Sequence, residues 1–394
     1  MDSTGKRIAL AMEKFQRFAG GAESYAVALA GSLLAAGWKV DCIGRQWGGE
    51  PAGARFIEIK EPRFLPTWAR MLHFALRHRR IVSEGRYDVV VGFGNTIAMN
   101  LYQSHGGVHW ASTFRKVYSE PNPWLRTAKR LLILLTPKNW MRSWIESAPF
   151  RLQPRPVIVA ISDLVREDIR RVHGLGRGEV ELVYNGIDLD RFTAAAAASE
   201  ARLAIRSRYG FSPADTVFLF VSFELKKKGM EPLLAALRLL TERNRREAKL
   251  LVVGGLPSRK MQRYIDRHGL AGTISFAGPQ QVIGDFYAAG DAFILPTYYD
   301  ACSLSVLEAM ASGLPPITTE SNGIAGILEN GRDGIVLHHP PDPEEIAGAM
   351  TSLLDGPGRQ AMGSRALATA RRYSIRENHR RMLELCARAA SRPY

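Results

Sequence analysis

Short apolar runs separated by stretches of helical period, arranged in two successive series, constrain this chain more than any other feature. The first series falls at residues 8–12, 40–43, 56–59, 89–93, 158–161 and 182–183, and the second at 217–221, 250–253, 274–276, 293–295, 317–319 and 335–337. Runs that are apolar on both faces and bounded by charge suit strands buried in a parallel sheet. Between the first two, Tyr25, Leu29, Leu33 and Leu34 repeat with helical spacing up to a stop at Gly37. The pattern predicts an α/β protein of two Rossmann-like, parallel-sheet domains facing across a cleft. We place the domains at residues 1–187 and 188–372, with a basic amphipathic helix over 373–394 that can pack on either. An alanine tract from Thr193 onward reads as an exposed helix or a linker following the boundary. No short repeat is visible, which excludes solenoids and propellers.

With 394 residues, 46% hydrophobic and 23% charged, the chain has enough apolar surface for two cores. The net charge of +15 calls for an anionic partner such as a nucleotide, nucleic acid or acidic membrane. Cys42, Cys302 and Cys386 are scattered without a C-x-x-C pair, so neither a disulfide framework nor a zinc site is expected, and a reducing, cytoplasmic setting is. No apolar run behind Lys6 and Arg7 resembles a secretion signal, and none reaches the roughly 18 to 20 residues of a membrane span.

Residues 295–313, LPTYYDACSLSVLEAMASG, read as a strand end, a polar turn and a helix start. The unpaired N–H groups at such a start, with the positive end of the helix dipole, suit a phosphate. Glu308 has two readings. With Ser305 it has the S-x-x-E spacing of a capping box, and it is also placed to meet a ligand. Residues 222–230, SFELKKKGM, follow the first strand of the second series. There Lys226, Lys227 and Lys228 are either a solvated basic loop or cations for a diphosphate. A glycine turn at Gly20 and Gly21 follows the first strand of all, at the end where open α/β sheets bind ligands.

The order of these motifs, GGAE near residue 20, the lysine-glycine turn, a VVGG strand end at 252–255, and Asp300 with seven residues between it and Glu308 before AMASGLP, resembles the retaining glycosyltransferases of family 4. The WGGE turn at 47–50, the strand end at 91–94 and Lys227-Lys228-Gly229 further resemble those members that add glucose to the inner-core heptose of lipopolysaccharide. The resemblance implies the GT-B architecture and a nucleotide-sugar donor. It also implies roles by position: Glu308 on the ribose, Asp300 near the sugar, Ser303, Leu304 and Ser305 giving amides to phosphate, and Lys228 on the phosphates. Two positions depart from the family pattern. Asp300 is one methylene shorter than the usual glutamate, and Phe223 replaces a common arginine, leaving Lys227 as substitute cation.

His105 and His109, in LYQSHGGVHW, are the histidine candidates, with His105 expected near the donor sugar and acceptor. Tyr298, Tyr299 and the turn at Ser321-Asn322-Gly323 line a pocket or belong to the core. Asp188-Leu189-Asp190 is formally D-x-D, but it lies in a YNGIDLDRF connection where we expect no metal. Residues 110–156 interleave Arg115, Lys116, Arg126, Lys129, Arg130, Lys138 and Arg142 with Trp124, the leucines of 131–135, Trp140 and Trp144. That suits an anionic lipid surface, or a helix packing its leucines inside; no nucleic-acid module is present, so nucleic acid is not expected as a partner. The expectation is a retaining, metal-independent hexosyltransferase. It needs no cofactor, takes a nucleotide-sugar and specifically a UDP-sugar, and works at the inner face of the cytoplasmic membrane on a lipid-linked glycan such as lipopolysaccharide core. Alternatives are another surface-polysaccharide or soluble acceptor, a UDP-sugar epimerase or phosphorylase of the same fold, and a non-catalytic basic binding protein.

Overall fold

The computed structural model describes residues 5–16, 20–196 and 199–391. Two compact units emerge. Unit 1 takes the residues up to Val117, then Asn122–Tyr184 and those from Arg376 on; unit 2 takes Tyr118–Pro121 and Asn185–Ile375. Phe18 and Ala19 of the glycine turn, and part of the alanine tract, lie outside the described residues.

In unit 1 the strands are β1 (Arg7–Ala11), β2 (Lys14–Phe15), β3 (Lys39–Gly44), β4 (Gln46–Trp47), β5 (Arg55–Glu58), β6 (Val89–Gly92), β7 (Leu101–Ser104), β8 (Val157–Ala160) and β9 (Val180–Leu182). Seven of them form a parallel sheet in the order β5-β3-β1-β6-β7-β8-β9, and β2 pairs with β4 beside it. Unit 2 holds β10 (Thr216–Ser222), β11 (Ala248–Gly254), β12 (Ile274–Gly278), β13 (Ala292–Leu295), β14 (Pro316–Thr319) and β15 (Ile335–Leu337), parallel in the order β12-β11-β10-β13-β14-β15. The expected two-sheet α/β architecture is therefore present. Ile8 and Leu10 of β1, and Phe218, Leu219 and Phe220 of β10, are fully buried, as strands covered on both faces require.

In each unit the strand that comes first in sequence is internal, and strand order reverses beside it. β1 lies between β3 and β6, and β10 lies between β11 and β13. Loops leaving the carboxyl ends of two strands at such a reversal splay apart and leave a crevice, where open α/β sheets bind ligands.

Sequence reading missed β7. Its Tyr102, Gln103 and Ser104 are polar yet buried, and Gln103 Nε2 is satisfied by donating to the Tyr25 hydroxyl at 3.1 Å. The alanine tract ends one helix, Leu189–Ala196, and a second begins at Ser199. The terminal helix, Ile375–Ala390, packs on unit 1, with Met382, Leu385, Cys386 and Ala389 buried on its inner face. Tyr25 donates to Asn378 Oδ1 at 2.9 Å, and Asn378 Nδ2 donates to the Tyr184 carbonyl at 2.7 Å, tying this helix to the first and last parts of unit 1. Among the described residues no helix is long and apolar enough to cross a membrane.

Candidate active site

At the reversal point of unit 2, β10 runs into the lysine turn and β13 runs into residues 296–303. Gly229 makes their close approach possible. Its φ is +84°, and a Cβ there would lie 1.9 Å from the Pro296 carbonyl oxygen, so any side chain would push the two loops apart. The loops are then joined by Tyr298 N–H donating to the Lys227 carbonyl at 3.2 Å and Thr297 Oγ1 to the same oxygen at 3.4 Å. Thr318 and Thr319 of β14 brace the second loop through the carbonyls of Leu295 and Thr297, at 2.9 and 2.6 Å.

This frame brings Lys228 and Asp300 together: Nζ lies 2.5 Å from Oδ2, with both side chains largely sheltered. Asp300 Oδ1 also accepts from Cys302 N–H at 3.3 Å, while its backbone pairs with the 321–323 turn, Asp300 N–H to the Ser321 carbonyl and Gly323 N–H to the Asp300 carbonyl. Asn322 then orders the start of the next helix, accepting from Ser303 N–H at 3.4 Å and donating to Thr318 Oγ1 at 2.9 Å. The helix itself runs Leu304–Ala311, and Ser303 at its N-cap makes no side-chain cap; its hydroxyl meets Ser305 Oγ at 3.1 Å instead. Among the described residues the first N–H groups of the helix are therefore left without a side-chain cap, on the loop that carries the partner of the sheltered Lys228.

Glu308 falls in the second turn of this helix, not the first as its spacing implied, and forms no capping box. The reason is Tyr287. This tyrosine is fully buried, its hydroxyl needs a partner, and it donates to Glu308 Oε2 at 2.7 Å and to the Ser305 carbonyl at 3.3 Å. Burial raises the Glu308 carboxyl above its usual range, against the pull of the Tyr287 hydrogen bond and of Arg191. Sequence reading missed Tyr287, which stands in a short helix, Gly284–Ala289, with no motif around it. Lys227, expected as the substitute cation, is half exposed and salt-bridged to Glu224 three residues earlier. Tyr298 and Tyr299 are buried. Cys302 is buried as well, which pushes its thiol up to about 12 and leaves it unreactive.

Unit 1 carries a cavity of about 210 Å³ at its own reversal point, lined by Glu13, Glu23, Asn95, Arg142 and Glu146 together with Gly94, Gly106 and Gly107. Asn95 adopts φ +56° and donates to Glu13 Oε1 at 2.7 Å. Glu146 accepts the His109 N–H on both oxygens, at 3.0 and 2.9 Å, and burial pushes its carboxyl up to about 7. It had no signal in the sequence beyond a lone acid in a basic stretch. His105 stands behind the glycine wall, its ring against Tyr25 and Phe93 at centroid distances of 4.5 and 5.4 Å. Burial lowers it to about 3, so it is neutral at pH 7 and supports the Gly106-Gly107 turn. Gly20 and Gly21 open the helix Gly21–Ala35, whose Ala22 and Glu23 reach the cavity; a Cβ on Gly20 would lie 2.4 Å from Glu23 Oε2.

Asp188 Oδ1 accepts from Arg191 N–H at 3.3 Å, at the start of the helix Leu189–Ala196. Among the described residues no cluster of three or more His, Cys, Asp or Glu could hold a metal.

The helices Pro123–Leu135 and Pro137–Glu146 leave their large apolar groups open. Trp124 is 85% exposed and Leu135 78%, with Leu125, Leu131, Leu132, Trp140 and Trp144 also exposed, and the first helix buries none of its residues. The leucines are therefore not packed inside. An uncovered apolar face of this size marks an interaction surface.

The Glycosyltransferase Family 4 pattern matches residues 19–191, and the Glycosyl transferases group 1 pattern matches residues 215–356. D-inositol 3-phosphate glycosyltransferase 2 of Catenulispora acidiphila is 32% identical over 229 residues, 55% of this chain and 52% of its own length; the chain spans about half the length of such relatives. Lipopolysaccharide glucosyltransferase WaaG of Escherichia coli is 23% identical over 361 residues, 91% of this chain and 92% of its own. A WaaG crystal structure shares the fold at TM-score 0.80 and 22% identity, covering 96% of this chain and 99% of that one. Anabaena Alr3699/HepE in complex with UDP-glucose does so at 0.69 and 15%, covering 97% and 99%. The chain thus consists of a glycosyltransferase family 4 domain and a glycosyl transferases group 1 domain, and has the GT-B fold.

Proposed function

We propose that the protein transfers a hexose from a UDP-sugar to a lipid-linked glycan of the lipopolysaccharide-core type, with retention of anomeric configuration and without metal or cofactor. The observation that carries this reading is the convergence, at the reversal point of unit 2, of a sheltered lysine, an uncapped helix start and a tyrosine-held glutamate. A nucleoside diphosphate fits that set: Lys228 and the amides of Leu304 and Ser305 for its phosphates, Glu308 for the ribose hydroxyls, Asp300 near the sugar. As the bond from the anomeric carbon to the β-phosphate oxygen breaks, negative charge builds on that phosphate, and the preorganised cation and amides stabilise it. The acceptor oxygen bonds the anomeric carbon from the face the diphosphate leaves, and its proton passes to the departing phosphate. UDP-glucose bound to HepE and the named substrate of WaaG support the choice of donor and acceptor. The unit 1 cavity, mixed in charge and rich in hydrogen-bonding groups, serves the acceptor. A soluble, phosphorylated acceptor is the second reading, favoured by the inositol 3-phosphate relatives.

The donor is tested by thermal shift and calorimetry with UDP- and GDP-sugars. UDP-sugars are expected to stabilise the protein; stabilisation by GDP-sugars alone overturns the assignment, and turnover of a UDP-amino sugar without acceptor identifies an epimerase. The open face of residues 123–146, with Lys129, Arg130 and Lys138 beside the exposed tryptophans and leucines, suits peripheral attachment to the inner face of the cytoplasmic membrane. Replacing these three cations by glutamate is expected to abolish binding to phosphatidylglycerol vesicles. Unchanged binding would remove the lipid surface from the reading.

A further inference from the structure

Unit 2 carries a second concavity, of about 560 Å³, apart from the lysine turn and the Leu304–Ala311 helix. It lies between the chain segment 326–333 and the helix Gly356–Ala370 with its continuation to Arg372. Its wall holds three guanidinium groups, Arg332, Arg365 and Arg372, and two carboxylates, Glu329 and Asp333. Both acids already have partners. Glu329 is salt-bridged to Arg332, and Asp333, buried, accepts from Glu329 N–H at 2.8 Å and from the Thr369 hydroxyl at 2.7 Å. Arg365 donates its Nε to the Arg332 carbonyl at 2.6 Å, which holds the guanidinium at the rim. Its Nη groups, and the whole guanidinium of Arg372, face no acid within ion-pair reach among the described residues. Two guanidinium forks without counter-ions, in a concavity of small-molecule size, match a phosphoryl group.

The concavity is also connected to the donor loops. The short helix Gly323–Ile327 begins at the turn where Gly323 N–H donates to the Asp300 carbonyl at 2.8 Å and Asn322 orders Ser303, and it ends in Gly326 and Ile327, which line the concavity. A ligand that orders one end of this five-residue segment biases the other.

We propose that this groove binds a small phosphorylated metabolite, and that its occupancy changes nucleotide affinity through the 322–327 segment. The site does not rest on the proposed donor; only the coupling does. The test is calorimetry on the full-length chain with β-glycerophosphate and with inorganic phosphate, at ionic strength matched with potassium chloride. Three proteins are compared: wild type, Lys228→Ala, which weakens phosphate binding at the donor loops, and Arg372→Ala, whose side chain has no described intramolecular hydrogen bond or ion pair and so leaves the fold intact. Wild type and Lys228→Ala are expected to bind alike, with Arg372→Ala roughly tenfold weaker and Arg365→Ala/Arg372→Ala weaker still. Tighter binding of β-glycerophosphate than of phosphate identifies an organic phosphate as the occupant; equal binding leaves the phosphoryl group alone as the ligand and overturns the metabolite. Binding unchanged in the arginine variants, or lost in Lys228→Ala, overturns the site. UDP affinity that is the same with and without saturating β-glycerophosphate overturns the coupling, while failure of UDP to bind at all is a failure of the donor reading and leaves the groove measurement standing.

Discussion

Replacing Lys228 by alanine is expected to lower kcat/KM for the nucleotide-sugar by roughly a hundred- to a thousandfold, the range for removing one preorganised group that stabilises developing charge. The side chain is already sheltered and held 2.5 Å from Asp300 before any substrate arrives, so little reorganisation accompanies its use. The loss should fall on kcat more than on KM, because the negative charge it faces grows only as the diphosphate departs. Asp300→Asn keeps the shape but frees the ammonium from its carboxylate; it should leave nucleotide binding intact or tighter while impairing transfer of the sugar. Glu308→Ala should act in the opposite proportion, raising KM for the nucleotide. Steady-state kinetics on the three variants separate the roles. A Lys228→Ala enzyme within threefold of wild type in kcat/KM would remove the lysine from the chemistry.

The second large effect is on stability against pH, and it belongs to unit 1. His78, His105, His109, His173 and His379 all lie there, and burial lowers each of them: His105 to about 3, the other four to about 4. In the unfolded chain each titrates near its ordinary value of 6.5. Between that value and the depressed one the unfolded state binds a proton that the folded state refuses. Stability is therefore full above about pH 6.5 and falls as the pH drops toward 4. His78 alone, fully buried with neither ring nitrogen hydrogen-bonded, accounts for roughly 3 kcal/mol over that interval. Glu146 works the other way. Pushed up to about 7, it takes a proton more readily when folded and adds stability as the pH falls from 7 toward its ordinary 4.5, offsetting about one histidine's loss and leaving the other four. Hydrogen exchange on the full chain at pH 7 and pH 5 reads the result directly. Unit 1 amides should lose much more protection than unit 2 amides, and His78→Leu should narrow the difference by one histidine's share. Uniform loss across both units would contradict it.

Strands buried on both faces were legible because their apolar runs are unbroken, as at β1 and β10. β7 was not, since Gln103 is made compatible with burial by Tyr25, 78 residues away in sequence. The same limit applies around the donor loops. Lys228 and Asp300 could each be placed after a strand end, with the resemblance assigning both to one donor; their direct pairing is a finding of the structure. The partner that turns Glu308 away from capping, Tyr287, is visible only once the short helix carrying it is folded against its neighbour. Periodicity showed that the terminal helix is amphipathic but not which unit it covers, because an amphipathic stripe specifies burial without specifying the partner. Exposure of the 123–135 leucines was likewise undecidable from pattern, which is identical for a packed helix and an open one.

The return of residues 376–390 to unit 1 has a consequence for the order of assembly during synthesis. Met382, Leu385, Cys386 and Ala389 complete a core whose other members are made hundreds of residues earlier, and Asn378 is the hydrogen-bond partner of Tyr25. While unit 2 is being synthesised, the unit begun first therefore still lacks a wall. The nascent first unit waits with apolar surface exposed, a state that chaperones hold and proteases cut. A chain stopped before residue 376 would lose the fold of its beginning rather than of its end.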